Sequence, residues 1–413
     1  MELRKYKLGE LMEVTRGMSL CGEYYATEGD LMRLTLGNFD YRNNCFKDDK
    51  SKDNLYFSGD VKTEFILNKG DIITPLTEQA IGLLGSTAKV PCSGKYIQSQ
   101  DVGLIKCNDK LNPDFAYYLI SSKLVRTQLS AAAQQTKIRH TSPDKIKDCT
   151  VWIPDYAEQE KIGKLLSVLD DKIALNRRMN AKLEQMAKQL YDYWFVQFDF
   201  PNENGKPYKA SGGKMEYNEV LKREIPAGWE AKSIFDACDL LYGFPYATEP
   251  FDEDDLTASK KPYKIVRIRD IQNNSYSAKT TEKVDDKYRT RINDLLIGMD
   301  GYFHMNFWSR NDDYINQRIV RLRKTCISTL ILYFQIMPFI KFKEEKAKGS
   351  TVGHLSDKDL KQLFVLIPND KSLSNHFETI LNMTTKTNAE IEKLTALRDR
   401  LLPLLMNGQV EVK

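Results

Sequence analysis

Lys137-Ile-Arg-His140-Thr-Ser-Pro-Asp-Lys-Ile146, closing at Val151-Trp-Ile-Pro154, has a second version later in the chain. That version reads Thr351-Val-Gly-His354-Leu-Ser-Asp-Lys-Asp-Leu360 and closes at Val365-Leu-Ile-Pro368. Working outward, Gly70-Asp-Ile-Ile-Thr74 answers to Asn293-Asp-Leu-Leu-Ile297, and Tyr96-Ile-Gln-Ser-Gln100 answers to Tyr314-Ile-Asn-Gln317. Each half then carries an apolar helix candidate, Asp114 to Ser122 and Ser328 to Ile340. The landmarks keep one order in both halves, so the chain reads as one module written twice, and overlooking such a repeat would misassign the fold.

Each module has a globular part and a long helix. The globular parts, 1–155 and 229–370, alternate short strand-like runs such as Leu31–Leu36 and Lys264–Arg269 with Gly, Asn and Asp turns, which predicts α+β domains. From Tyr156 to Val196 Gly163 is the single glycine and proline is absent. Ile162, Leu166, Leu169, Ile173, Asn176, Asn180, Leu183, Ala187, Leu190 and Trp194 alternate spacings of four and three, a coiled-coil seam. A first spacer helix over 156–200 would be roughly 60 Å long at about 1.5 Å per residue. A linker rich in Gly, Pro, Lys and Glu occupies 201–228. The second helix and a tail fill 371–413, with Phe377, Leu381, Thr384, Asn388, Ile391, Leu394, Leu397, Leu401 and Leu405 on its seam.

A duplicated module folding back on itself predicts antiparallel helices about an internal pseudo-two-fold axis. Setting Asn176 opposite Asn388 pairs Ile173 with Ile391, Asn180 with Thr384, Leu183 with Leu381, Ala187 with Phe377 and Ile162 with Leu402. Leu166 against Arg398 is the one misfit. A buried polar layer of this kind penalises slipped registers.

Composition narrows the class. The 413 residues carry 61 Lys and Arg against 57 Asp and Glu, a formal charge of +4, which excludes both a polycationic tail and an acidic disordered chain. Hydrophobic residues make up 41%, enough for folded cores. Seven cysteines without a C-x-x-C pair disfavour a disulfide framework or structural zinc and fit a reducing cytoplasm. The start Met1-Glu2-Leu3-Arg4-Lys5 has no apolar signal region, and the longest apolar run, Cys326 to Ile340, is too short and too interrupted for a membrane span. A cytoplasmic location is expected.

Trp194-Phe-Val-Gln-Phe-Asp-Phe-Pro201, Gly205-Lys-Pro-Tyr208, Ser211-Gly-Gly-Lys214 and Arg223-Glu-Ile-Pro-Ala-Gly-Trp229 together resemble the central conserved region of the specificity subunit of type I restriction–modification systems. Leu401-Leu-Pro-Leu-Leu-Met-Asn-Gly-Gln409 resembles its distal region. The likeness spans the chain in order. It is specific in these regions and architectural in the globular parts. It implies two target-recognition domains that each read half of a split DNA sequence, spaced by helices on which two methyltransferase subunits dock. It further implies restriction subunits as partners, S-adenosylmethionine on the methyltransferase, ATP and magnesium on the restriction subunit, and no catalysis in this chain.

The residues can be searched for catalytic motifs independently. Asn112-Pro-Asp-Phe115 is the nearest approach to the base-holding motif of an adenine methyltransferase. An acid replaces the second proline and no Gly-rich turn precedes it, so it reads as a turn opening a helix. Ser211-Gly-Gly-Lys214 lacks the spacing of a phosphate loop. His140, His304, His354 and His376 lack metal-ligand spacing, and no acid cluster suggests a nuclease, so no metal is expected.

DNA contacts have local candidates. Arg267 and Arg269 would share one face of a strand, although a charged edge strand explains them equally well. Tyr302-Phe-His304-Met-Asn306-Phe-Trp308-Ser-Arg310 suits phosphate and base contacts, or an aromatic turn packed on its own core. Lys137, Arg139 and His140 occupy the positions of Thr351, Gly353 and His354, with Lys137 and Arg139 the favoured phosphate contacts. Gln98 and Gln100 could read adenine, or satisfy backbone neighbours.

The first helix has a second apolar stripe: Leu165, Val168, Leu175, Met179, Met186 and Tyr193. A two-helix pair needs one stripe, so the extra width implies partner docking or packing on the globular part. Ile162, Ile173, Asn176, Met179, Leu183, Met186, Asn388 and Ile391 are thus the interhelix or docking candidates. A scaffold whose repeated domains bind proteins instead of DNA is the alternative reading.

Overall fold

The computed structural model describes every residue except Met1, Lys50, 79–81, 133–138, Thr248, 251–262, 348–352 and Lys413; the side chains of 139, 249–250 and 347 are also outside the description. Two compact units emerge, Met1–Ile173 with Lys393–Lys413, and Ala174–Glu392.

The repeat seen in the sequence is a repeat of topology. In the first unit a four-stranded antiparallel sheet runs Ala88–Lys89, Ile72–Pro75, Val102–Cys107, Met12–Arg16. In the second the same order is built by Met305–Phe307, Leu295–Gly298, Ile319–Lys324 and Cys238–Tyr242. Registers agree as well: Ile72 faces Ile105 where Leu295 faces Leu322. A smaller sheet repeats likewise, its end strand parallel to its neighbour in both units, Tyr96 facing Met32 and Tyr314 facing Ile265.

Two glycines bring the main chain close enough to link the sheets. Past the edge strand, a Cβ on Gly17 would lie 2.2 Å from the Gln98 carbonyl oxygen, and one on Gly243 would lie 2.2 Å from that of Asn316. Both crossings continue as parallel bridges, Met18 with Ser99 and Phe244 with Asn316. A side chain would force these segments apart.

The quoted repeat is a strand followed by a helix cap. His140 pairs with Thr77, and Ser142 accepts from the Lys145 amide at 3.2 Å to open the helix Pro143–Lys147. In the second unit His354 bridges Asp300, and Ser356 caps Asp357–Leu360 in a reciprocal capping box with Asp359. Ile146 and Leu360, buried, anchor the two short helices.

The long helices span Tyr156–Tyr191 and Lys371–Met406. Gly163 lets the first pack tightly on Pro113–Ser121, because a Cβ there would meet the Phe115 nitrogen at 2.8 Å. That shorter helix is capped by Asn112, which accepts from Asp114 and Phe115 at 3.0 and 3.2 Å, so Asn112-Pro-Asp-Phe115 is a helix start. After Tyr191 a π-helical turn, Asp192–Val196, seats Trp194 and Phe195 against Phe377 and Phe195 against Trp229. The 201–228 stretch expected as a linker carries a hairpin, Met215–Asn218 with Arg223–Pro226, and Tyr208 stacks on Phe200, which stacks on Trp229.

The expected helix register needs correcting by one turn. In the second unit Asn388 accepts from Asn180 at 2.6 Å, in place of Asn176. In the first, Arg398 donates to Asp170 at 2.8 Å, which removes the misfit with Leu166. A slip of four residues returns nearly the same helix face, so apolar spacing hardly distinguishes the two settings. A half-buried acid for a buried arginine does. Asn176 is 1% exposed, and its Nδ2 has no protein partner among the described residues.

Two further expectations change. The strand expected over Leu31–Leu36 is confined to Met32–Arg33, with a 3-10 turn at Leu36–Asn38. The strand containing Lys264 ends at Val266. Asp270 then accepts from the Arg267 amide at 2.9 Å and starts the short helix Ile268–Ile271. Arg267 and Arg269 therefore do not share the face of one strand.

Candidate nucleic-acid interface

The central strand of each larger sheet ends at a polar corner, and the two corners hold different chemistry on the same frame. In the first unit Thr77 Oγ1 donates to Asp101 at 3.0 Å and lies 3.2 Å from His140 Nδ1. With the threonine hydrogen given to Asp101, the imidazole Nδ1 donates to the threonine oxygen. In the second unit Asp300 takes the place of Thr77. Its carboxylate lies 2.6 Å from His354 Nδ1 and 3.2 Å from Arg318 Nε. Strand register makes Asp101 and Arg318 equivalent, because each immediately precedes the residue facing the end of the central strand, Val102 on Pro75 and Ile319 on Gly298.

The second corner is open to solvent. Arg318 is 56% and His354 50% exposed at the side chain, and Tyr302, 67% exposed, stacks on His304 with ring centroids 5.9 Å apart. Other arginines of the adjoining strand are absorbed by the fold. Arg321 pairs with Asp239 at 2.6 Å, and Arg323 with Asp294 at 2.7 Å. Burial pushes the Arg321 guanidinium down, and the charge of Arg323 pushes the same way.

The remaining sequence candidates divide. Gln98 is buried and donates to the Thr15 and Val102 carbonyls at 2.8 and 3.0 Å, so it is a structural amide and not a base reader. Gln100 is exposed beside Asp101, as Gln317 is beside Arg318. Arg310 lies over the Trp308 ring at 4.7 Å and pairs with Asp313 at 3.3 Å; Trp308, fully buried, donates to the same carboxylate. From Phe303 and Trp308 that stretch packs on its own core, leaving exposed Tyr302 and half-buried His304 at the corner. Arg269 is exposed and donates to Ser277 at 3.1 Å. Lys137 lies outside the described residues, and of Arg139 only the backbone pairing with Glu78 is described.

Sequence reasoning paired His140 with His354 but missed Thr77, Asp101, Asp300 and Arg318. The signal was available: Asp300 and Thr77 both lie a few residues past the matched strand landmarks, and Arg318 directly follows Gln317. Among the described residues no three His, Cys, Asp or Glu side chains are grouped as metal ligands, and no helix is long and apolar enough to cross a membrane.

On the helices, Ile162, Ile173, Asn176 and Leu183 are buried, while Asn388 is exposed and Ile391 partly so. Val168, Leu175, Met179, Met186 and Tyr193 are exposed, Met186 by 56%. Leu165 packs against the first unit's core, and the rest of the second stripe is an exposed apolar face.

The family described as type I restriction modification DNA specificity domain matches residues 2–185 and 226–395. The chain belongs to this family and is a specificity subunit of a type I restriction–modification system, a non-catalytic component whose enzymatic chemistry lies in other subunits. It is 24% identical over 327 residues to the type I restriction enzyme MjaIX specificity subunit of Methanocaldococcus jannaschii, covering 74% of this chain and 71% of that one. To the HindI specificity subunit of Haemophilus influenzae it is 23% identical over 380 residues, covering 76% and 81%. The S subunit of the M. genitalium type I system has a similar fold, with a TM-score of 0.61 and 17% identity over 98% of this chain and 96% of that one.

Proposed function

We propose that the chain reads a bipartite DNA target, one half-site per module, and docks adenine-methyltransferase and restriction subunits onto it. The observation that carries the reading is one corner built twice with different polar groups: Thr77, His140 and Asp101 in one copy, Asp300, His354 and Arg318 in the other. A protein-binding scaffold made by duplication gives no reason for the polar contents to diverge while strand order and register stay fixed. The exposed Leu175, Met179 and Met186 face supplies a docking surface for the methyltransferase, since an apolar stripe of this kind is a liability unless covered. In this reading S-adenosylmethionine sits on the methyltransferase and ATP with magnesium on the restriction subunit, within the cytoplasm.

The test is a gel shift with cognate and scrambled duplexes, with and without the methyltransferase, at graded salt. Cognate DNA should shift preferentially in the mixture, and binding should fall steeply as salt rises because phosphate contacts release counterions. Equal shifts of cognate and scrambled DNA at all salt concentrations would overturn sequence reading, and no shift of either duplex would favour a protein scaffold.

A further inference from the structure

We infer that the residue opening the central strand's inner neighbour, Asp101 in one module and Arg318 in the other, is a base-reading position, and that Arg318 reads a guanine. This rests on the DNA-reading role proposed above and assigns it to an atom. The side chain of Arg318 makes one ion-pair contact among the described residues, Nε to Asp300 at 3.2 Å, and neither Nη has a partner there. Asp300 is itself fixed from the other side by His354 at 2.6 Å. An arginine whose Nε faces a carboxylate leaves its two Nη groups as a fork, the geometry that matches guanine O6 and N7. Arg321 and Arg323, in the strand that follows, are themselves largely buried and paired with Asp239 and Asp294, so the exposure of Arg318 is not a general property of the cations here.

The first module offers the reverse. Asp101 gives one carboxylate oxygen to Thr77 at 3.0 Å and keeps acceptor capacity on the other. An acceptor suits the amino group of cytosine or adenine and repels the O6 and N7 edge of guanine. The exposed glutamine before it is the same in both modules, Gln100 and Gln317, so the frame is constant and the discriminating group changes sign. The two corners then contact different bases, an amino-bearing base edge at Asp101 and a guanine at Arg318.

The experiment uses the full chain assembled with its modification subunits. Methylated adenines are mapped across the host genome by single-molecule sequencing for the wild type and for Arg318→Ala. The expected result is an unchanged first half-site and a second half-site in which one guanine becomes degenerate. Uniformly lower methylation at an unchanged motif would overturn the inference, since Arg318 would then be a phosphate contact or a structural cation. If wild-type methylation showed no split motif, the underlying reading would fail instead. A second measurement covers a variant that assembles poorly: wild-type complex is titrated with duplexes carrying 7-deazaguanine at each guanine of the second half-site in turn. Loss of N7 at one position should weaken binding roughly tenfold or more, within the discrimination of one bidentate pair. Indifference at every position would sink the assignment.

Discussion

Replacing Arg398 with methionine should unsettle the first unit through a carboxylate that never contacts the new side chain. Arg398 is buried and donates to Asp170 at 2.8 Å and to Asp399 at 2.8 Å. Burial pushes its guanidinium down, but the hydrogen bonds and charges of Asp170 and Asp399 outweigh this and raise it. Tyr118 also donates to Asp170, at 2.7 Å; burial, together with the Asp170 charge, pushes that phenol well up. Without the arginine, Asp170 keeps one neutral donor. Stranding one member of a buried pair costs about 3–5 kcal/mol. The Asp170 side chain is 27% exposed, so water relieves part of that, and about 2 kcal/mol is expected. For a unit of this size that is a fall in Tm of roughly 4–8 °C. Asp170→Asn with Arg398→Met should recover most of the loss, giving a coupling energy of about 1–2 kcal/mol in a double-mutant cycle followed by calorimetry. Additive effects, or a single-variant loss below about 0.5 kcal/mol, would refute both the pair and the helix register it fixes.

Met179→Glu with Met186→Glu should abolish co-elution with the methyltransferase while moving Tm by no more than about 1 °C, because both side chains are exposed. Equal loss of stability and assembly would mean the stripe is core. Burial pushes the Asp359 carboxyl up, but Lys343 and Ser356 overcome this and hold it at about 2. A depressed folded value stabilises above the unfolded pKa and is lost as pH falls through the folded one. Asp359→Asn should therefore cost about 1–2 kcal/mol at pH 7 in urea unfolding, and the gap should close between about pH 4 and 2. A gap constant with pH would contradict the ion pair. Lys137→Ala with Arg139→Ala should weaken binding to all sequences alike and flatten the salt slope; loss of discrimination alone would make them base readers.

The module, its duplication and the long helices were legible because strand order and capping leave local marks. Ser142 and Ser356 mark helix starts, and the Tyr96 and Tyr314 landmarks mark equivalent strands. Helix register was not legible, since the seam repeats each turn and the deciding partner of Arg398 lies far away in sequence. Asp270, three residues beyond Arg267, was a readable cap that shortened the expected strand, outweighed there by the run of β-formers. Gln98 and Gln100 share one short run, and which amide is buried depends on the chain crossing at Gly17, a tertiary fact. The corner positions stood beside matched landmarks, but the contact of Asp101 with Thr77 was not legible, because the two residues lie far apart in sequence and meet only in the folded unit.

The composition of the first unit has a consequence for synthesis. Leu405 and Met406 share one apolar core with Leu8, Leu11 and Phe115, whereas the second unit is a single uninterrupted stretch of chain. At about 5–20 residues per second, the nascent first unit waits about 10–40 s after Ile173 is made before Lys393 follows it from the ribosome. The later-made unit closes first, and the earlier-made one is finished by the last turns of the second long helix. A premature stop shortly after Glu392 would thus injure the half of the protein farthest from it in the message, and leave that half's apolar face open to chaperones and proteases.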